Sequence, residues 1–431
     1  MYRTNINKLR KWRILPNRKP LVLLGARQVG KTWLLQEFGK SEYKQIAYIN
    51  FEHANAPKGI FEMDFDIDRL ITILNAYCKL NITPDDTIII FDEIQEAPKG
   101  ITALKYFYEN APEYHVVAAG SLLGLNIHTG ESFPVGKVDF LKLFPMSFFE
   151  FLLAMNEEGI AKLIEQKDFD SLSFFHHKLL NYLRYYLYIG GMPEVVNNFV
   201  KNRDWQMVRT IQNQILTSYQ KDFSKHAPKE ILPRINMVWE SIPVQLSKEN
   251  KKFLYGVIKE GSRAKDYEIA IQWLIDAGLL HKVNNVAKPA LPLAAYKELS
   301  AFKLYHNDVG LLSAMSRLSS KTIVDGNEVF TEFKGALTEQ FVFQQLVQNE
   351  GLSIHYFTFE NSKYEIDFLL QTPDDNIIPV EVKSGENLRA KSFNRFYQKY
   401  KPQNAIRTSS NPYKQEDWLI NLPLYAIGVI D

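Results

Sequence analysis

The chain has 431 residues, 46% hydrophobic and 23% charged, with a formal net charge of +2. This is ordinary globular composition, long enough for two or three domains, and the near-neutral charge does not mark a nucleic-acid binder, although it leaves room for a local basic face. There is no run of about 18 apolar residues, so no membrane span is expected, and the single cysteine, Cys78, permits no internal disulfide and fits a reducing, cytoplasmic setting.

The first 19 residues form a basic, helical lead-in carrying Arg3, Lys8, Arg10, Lys11, Arg13, Arg18 and Lys19, too charged for a secretory signal. They read as a solvated face beside the next element, with nucleic-acid contact as the rival. Residues 21–24 (Leu-Val-Leu-Leu) predict a buried parallel strand. Residues 25–32, Gly-Ala-Arg-Gln-Val-Gly-Lys-Thr, then fit G-x-x-x-x-G-K-[ST], and Trp33, Leu34, Leu35 and Phe38 open a helix. Strand, glycine loop and helix together are the context in which this motif holds nucleotide phosphates. Gly25 and Gly30 let the backbone approach closely. Backbone N–H groups and the helix N-terminus cradle the oxygens. Lys31 is expected on the β- and γ-phosphates, and Thr32 on Mg²⁺.

A second strand is expected over residues 45–51 and a helix over 66–80. Residues 87–93, Thr-Ile-Ile-Ile-Phe-Asp-Glu, predict a buried strand that ends in two acids. Such a strand delivers Asp92 to the carboxyl edge of an open α/β sheet, where ligands bind. Asp92 is the expected second Mg²⁺ group and Glu93 the general base toward the attacking water. A further buried strand, residues 114–120, ends at Ser121. That serine reads equally as a polar sensor of the γ-phosphate and as a cap.

The segments GARQVGKT, IIIFDEIQ and VVAAGSLLG, in this order, resemble bacterial and archaeal ATPases of the AAA class. Residues 133–137 (Phe-Pro-Val-Gly-Lys) and 143–152 (Leu-Phe-Pro-Met-Ser-Phe-Phe-Glu-Phe-Leu) resemble one branch, whose members carry an uncharacterised C-terminal domain. The family often has arginine where this chain has Lys137, and lysine lacks the bidentate fork. The resemblance implies ATP rather than GTP, with Mg²⁺. It also implies a homo-oligomer in which a neighbour's arginine completes the site; Arg27, Arg184 and Arg209 are the candidates, and the sequence does not choose among them.

Residues 155–225 read as helices, broken at Gly190-Gly191 before Pro193. This break, with Tyr188 and Glu194, resembles a further family segment. Residues 228–300 read as two helices and a hairpin, a winged-helix pattern, with Lys251, Lys252, Lys259, Arg263 and Lys265 placed to meet DNA phosphates. The alternative for this region is a plain lid or interaction module.

Three segments near the C-terminus carry a second chemistry: a helix with Glu339, a strand with Asp367, and a strand with Glu381 and Lys383. Residues 372–376 are turn chemistry, so the strands form a hairpin. A loop centred near Asp374 sets Asp367 opposite Glu381, and alternation puts Lys383 on the same face as Glu381. This resembles the PD-(D/E)xK nucleases. There Asp367 and Glu381, completed by Glu339, would bind Mg²⁺, and Lys383 would position or activate the water.

The expected fold is α/β: an AAA-type P-loop domain with a parallel sheet (1–155), a helical lid (156–227), a winged-helix-like domain (228–315) and an α/β PD-(D/E)xK nuclease-like domain (316–431). Two functions stand. One is an ATPase acting on DNA or RNA through a metal-dependent nuclease domain. The other is a nucleotide-controlled switch whose C-terminal domain binds a partner or nucleic acid without cutting. Glu93 beside Asp92 argues against a small-molecule kinase.

Overall fold

The computed structural model describes residues 2–120, 134, 136–248, 251–324, 331–359, 364–384 and 391–430. They fall into two compact units. One is Tyr2–Phe144 with Asp276–Gly278; the other is Pro145–Ile275 with Leu279–Asp431. Among the described residues no helix is long and apolar enough to cross a membrane.

The first unit is built on five strands: β1 (Leu21–Leu24), β2 (Gln45–Asn50), β3 (Thr87–Asp92), β4 (His115–Ala119) and β5 (Asp139–Lys142). Their order is β2-β3-β4-β1-β5, and every ladder is parallel. A parallel sheet is covered on both faces, which is why β3 reads as an unbroken apolar run and is buried along its whole length. The helices α1 (Asn5–Arg13), α2 (Lys31–Glu42), α3 (Ile67–Cys78) and α4 (Gly100–Asn110) belong to this unit. Phe51, Phe61, Phe91 and Phe107 interlock in its core, with ring centroids 5.7–6.0 Å apart.

Of the basic lead-in, Arg3 is tied inward, while Lys8, Arg10 and Lys11 are exposed. Arg3 is buried and donates to the carbonyls of Val29 (2.8 Å) and Phe144 (2.5 Å). Arg10 and Arg13 pair with Glu42, and Arg18 reaches the carbonyls of Pro112 and Glu113.

The second unit contains an eight-stranded sheet formed by β6 (Leu280–Val286), β7 (Lys297–His306), β8 (Ser353–Phe359), β9 (Tyr364–Gln371), β10 (Ile377–Val382), β11 (Ala405–Ser409), β12 (Lys414–Gln415) and β13 (Leu419–Pro423). Its order is β12-β13-β11-β10-β9-β8-β6-β7. The hairpin expected as the wing of a winged helix, β6–β7, is therefore the edge of this sheet rather than a free wing. Segments read from the sequence as lid, winged helix and C-terminal domain lie in one unit.

A tight aromatic cluster joins the helices of this unit. Phe148, Phe151, Tyr186 and Phe341 meet edge to face, with centroids 5.3–5.9 Å apart. The helix Phe148–Ala154 opens with a capping box in which Ser147 and Glu150 satisfy each other's backbone N–H. That explains the Ser and Glu of the segment 143–152. The Gly190-Gly191 break is a packing site: Met146 N–H donates to the Gly191 carbonyl (2.7 Å), and Gly191 N–H donates to Asp308 (2.6 Å). A Cβ on Gly191 would be driven into the Met146 backbone. Gly191→Ala should therefore lower stability by about 1–3 kcal/mol, the usual cost of overpacking. A urea midpoint equal to wild type would contradict this packing.

Candidate functional site

The glycine loop lies where β1 runs into α2. Gly25 is required by space, because a Cβ there would strike the Leu143 carbonyl. Gly30 caps α2 with φ at +93°, a left-handed conformation that glycine adopts without strain. Lys31 is buried, and its ammonium donates to the carbonyls of Gly25 (2.8 Å) and Ala26 (2.9 Å). Burial pushes its pKa down to about 8, against the opposing pull of Glu93 and Asp92.

The two acids close the site. The Thr32 hydroxyl donates to Asp92 Oδ2 at 2.7 Å, and the Tyr48 hydroxyl donates to the same oxygen at 2.8 Å. Glu93 N–H donates to Asp92 Oδ1 at 3.1 Å. Glu93 itself sits at φ +49°, where β3 ends, and its Oε2 accepts from Gln95 Nε2 at 2.6 Å. The structure thus brings Gly25, Gly30, Lys31, Thr32, Asp92 and Glu93 together. Thr32 and Asp92 form a hard, oxygen-only pair suited to Mg²⁺, and Lys31 with the loop N–H groups suits phosphates. Ser121, Phe133 and Val135 lie outside the described residues.

Lys137 pairs with Glu109 (3.0 Å) and stands over the Tyr108 ring. Of the arginine candidates, Arg184 donates to Asn181. Arg209 is held inside the second unit by Gln212, Ser313 and the Leu318 carbonyl, over Tyr188.

The second constellation lies on β9 and β10. Their register pairs Val380 with Phe368, so its next step sets Glu381 against Asp367. Val382 N–H donates to Asp367 Oδ2 (2.8 Å), and Lys383 pairs with Glu381 Oε1 (2.5 Å). Glu381 Oε2 is buried with no hydrogen-bond partner among the described residues. Burial pushes Glu381 up to about 7; Lys383 opposes the rise and Asp367 adds to it. Asp367 is also raised, first by burial and then by Glu339. Two raised carboxyls, one with an oxygen unpartnered, fit a hard cation.

Glu339, the third expected member, is engaged by other groups. Its carboxylate is paired with Lys251 (2.7 Å) and Lys303 (3.0 Å) and accepts from the Tyr305 hydroxyl (2.5 Å). Burial alone would raise Glu339, yet Lys251 and Lys303 outweigh it and hold it down to about 2. Lys303, wholly buried, also pairs with Glu365 at 2.6 Å. In this structure Glu339 is thus a counter-ion in a buried network, while its charge still acts on Asp367. Among the described residues no group of three or more His, Cys, Asp or Glu converges as a metal site. Lys251, expected at DNA phosphates, faces inward for the same reason.

Lys303, Tyr305, Tyr48 and Gln95 were not legible as site residues. Lys303 and Tyr305 come from β7, far in sequence from their partners. Glu365 carried a usable signal, since it precedes Asp367 by two residues and so shares its face.

Residues 17–152 match the AAA domain family, 180–322 a domain of unknown function (DUF8612), and 334–426 another domain of unknown function (DUF4143). No curated protein matches the chain. Among solved structures, it is similar to the Walker-type ATPase PABY2304 of Pyrococcus abyssi at 14% identity and TM-score 0.43, over 72% of this chain and 94% of that one. It is also similar to the Aeropyrum pernix ORC1 protein in complex with DNA at 14% identity and TM-score 0.30, over 74% and 93%. Those two likenesses are too distant to carry an argument about function. The family match and the glycine loop support a P-loop ATPase domain of the AAA class over residues 17–152.

Two outcomes follow from these charges. Lys303→Met leaves Glu365 and half of the Glu339 pairing without a cation, and should cost about 3–5 kcal/mol by urea unfolding; a loss under 1 kcal/mol would contradict the network. Lys31 must be charged to hold phosphate, and its pKa is about 8. Nucleotide affinity in fluorescence titrations should therefore stay level up to about pH 8 and weaken above it by up to tenfold per pH unit. A level profile to pH 10 would contradict that.

Proposed function

We propose that the first unit binds Mg²⁺-ATP and hydrolyses it to ADP and phosphate. The observation that carries this reading is the 2.7 Å bond between Thr32 and Asp92, which unites two motifs 60 residues apart. Loop N–H groups and Lys31 bind the phosphate oxygens. Thr32 and Asp92 would hold the Mg²⁺, which when bound neutralises developing charge on those oxygens. Glu93 takes the proton from the attacking water, oriented by the bond from Gln95. Ser121 is the γ-phosphate sensor in this reading, and a neighbouring copy in a homo-oligomer supplies the arginine. Lys31→Ala should abolish ATP binding. Glu93→Gln should retain binding and lower kcat by about 10²–10⁴-fold. Undiminished turnover in Glu93→Gln would remove the general-base role.

For the second unit we propose metal-dependent cleavage of DNA or RNA at Asp367, Glu381 and Lys383. The unpartnered Glu381 Oε2 beside Asp367 favours it. Asp367 and Glu381 would hold a divalent cation, whose chemistry is to activate water and stabilise charge on the phosphate, and Lys383 would position that water. Cleavage assays on single- and double-stranded DNA and RNA, with Mg²⁺ or Mn²⁺, should show activity that Asp367→Ala and Lys383→Ala abolish. No cleavage alongside intact ATP hydrolysis would reject this role and favour the nucleotide-controlled switch.

A further inference from the structure

Tyr48 stands outside every motif of the sequence, yet it touches the centre of the first site. The β2–β3 register sets Tyr48 beside Ile90 and Asn50 beside Asp92. Alternation sends Tyr48 and Asn50 to one face and keeps Ile90 and Asp92 on one face. From two residues back along β2, about 6.6 Å, only a long side chain reaches the carboxylate at the strand end. The tyrosine does so, with its hydroxyl donating to Asp92 Oδ2 at 2.8 Å. Thr32 donates to that same oxygen, and the Glu93 N–H to the other. Three donors from three elements thus fix a carboxylate that is only 2% exposed. A phenol keeps its proton at neutral pH and so serves as the donor here.

We propose that Tyr48 is a positioning residue of the magnesium site: it holds Asp92 at the angle from which the carboxylate and the Thr32 hydroxyl act on one cation. This rests on Thr32 and Asp92 being the Mg²⁺-ATP site. Without the phenol, the carboxylate keeps its charge but loses one of the two donors on Oδ2, and each cation that binds must order it. The hydroxyl makes no bond to Lys31 or to the loop carbonyls that Lys31 meets, so the effect is confined to the metal.

The test uses the full chain and Tyr48→Phe, which keeps the ring and removes only the donor. The half-saturating Mg²⁺ concentration for ATP hydrolysis should rise about tenfold, the scale of one hydrogen bond to a charged group. Affinity for ATP in EDTA should stay within about twofold, because phosphate contacts are untouched. An unchanged Mg²⁺ requirement, whatever happens to the melting temperature, would make Tyr48 a packing residue and overturn the proposal. Wild type binding ATP no better than Lys31→Ala would instead show that the underlying reading fails, and Tyr48 with it.

Discussion

The site of the first unit depends on the hydrogen bond between Thr32 and Asp92. One partner begins α2 and the other ends β3, so the bond exists only if the parallel sheet has formed with β4 between β1 and β3. The sheet in turn depends on apolar strands buried on both faces, with the polar residues confined to the carboxyl ends. Lys31 and Asp92 are buried charged groups that a solvent-facing loop would leave hydrated. Their burial lowers the pKa of Lys31 and is tolerated because hydrogen-bond partners surround both groups. Arg3 adds support from outside the motif, since its guanidinium ties the Val29 carbonyl in the loop to that of Phe144 beyond β5.

The second unit separates its carboxylates into two electrostatic classes. Glu339 lies between two lysines and is held well below the ordinary carboxylate range. Glu381 and Asp367 face each other across a hairpin and are held above it. The contrast follows from position: Lys251, in the segment before Phe253, and Lys303 of β7 both pair with Glu339, whereas Glu381 pairs with Lys383 and feels a weaker pull from Arg407 of β11. Removing a charge from the first class leaves a buried ion uncompensated. The second class is where a divalent cation would relieve repulsion.

The sequence carried most of the first site because its signals are local. A glycine loop between an apolar strand and a helix, and a strand ending in two acids, each lie within a few residues. Asp367 opposite Glu381 was legible for the same reason, since a short turn fixes hairpin register. What stayed hidden comes from distant elements. Lys303 and Tyr305 reach Glu339 from β7, and Tyr48 reaches Asp92 across a parallel ladder. Periodicity marks Lys303 and Tyr48 as strand residues but cannot say which charge they meet. The β6–β7 hairpin was legible as two strands, whereas its place at the edge of an eight-stranded sheet depends on β8, about fifty residues further along the chain. The pairing of Lys251 with Glu339 stayed hidden because a lysine-rich stretch looks solvated until its buried partner is known.

The central claim is that Thr32 and Asp92 form a single magnesium site on a nucleotide held by Lys31. Calorimetric titration of ATP into wild type and Asp92→Asn, each with and without Mg²⁺, tests it most directly. Mg²⁺ should tighten ATP binding to wild type and leave binding to Asp92→Asn unchanged, with equal affinities in the absence of the metal. An equal response to Mg²⁺ in both proteins would contradict it.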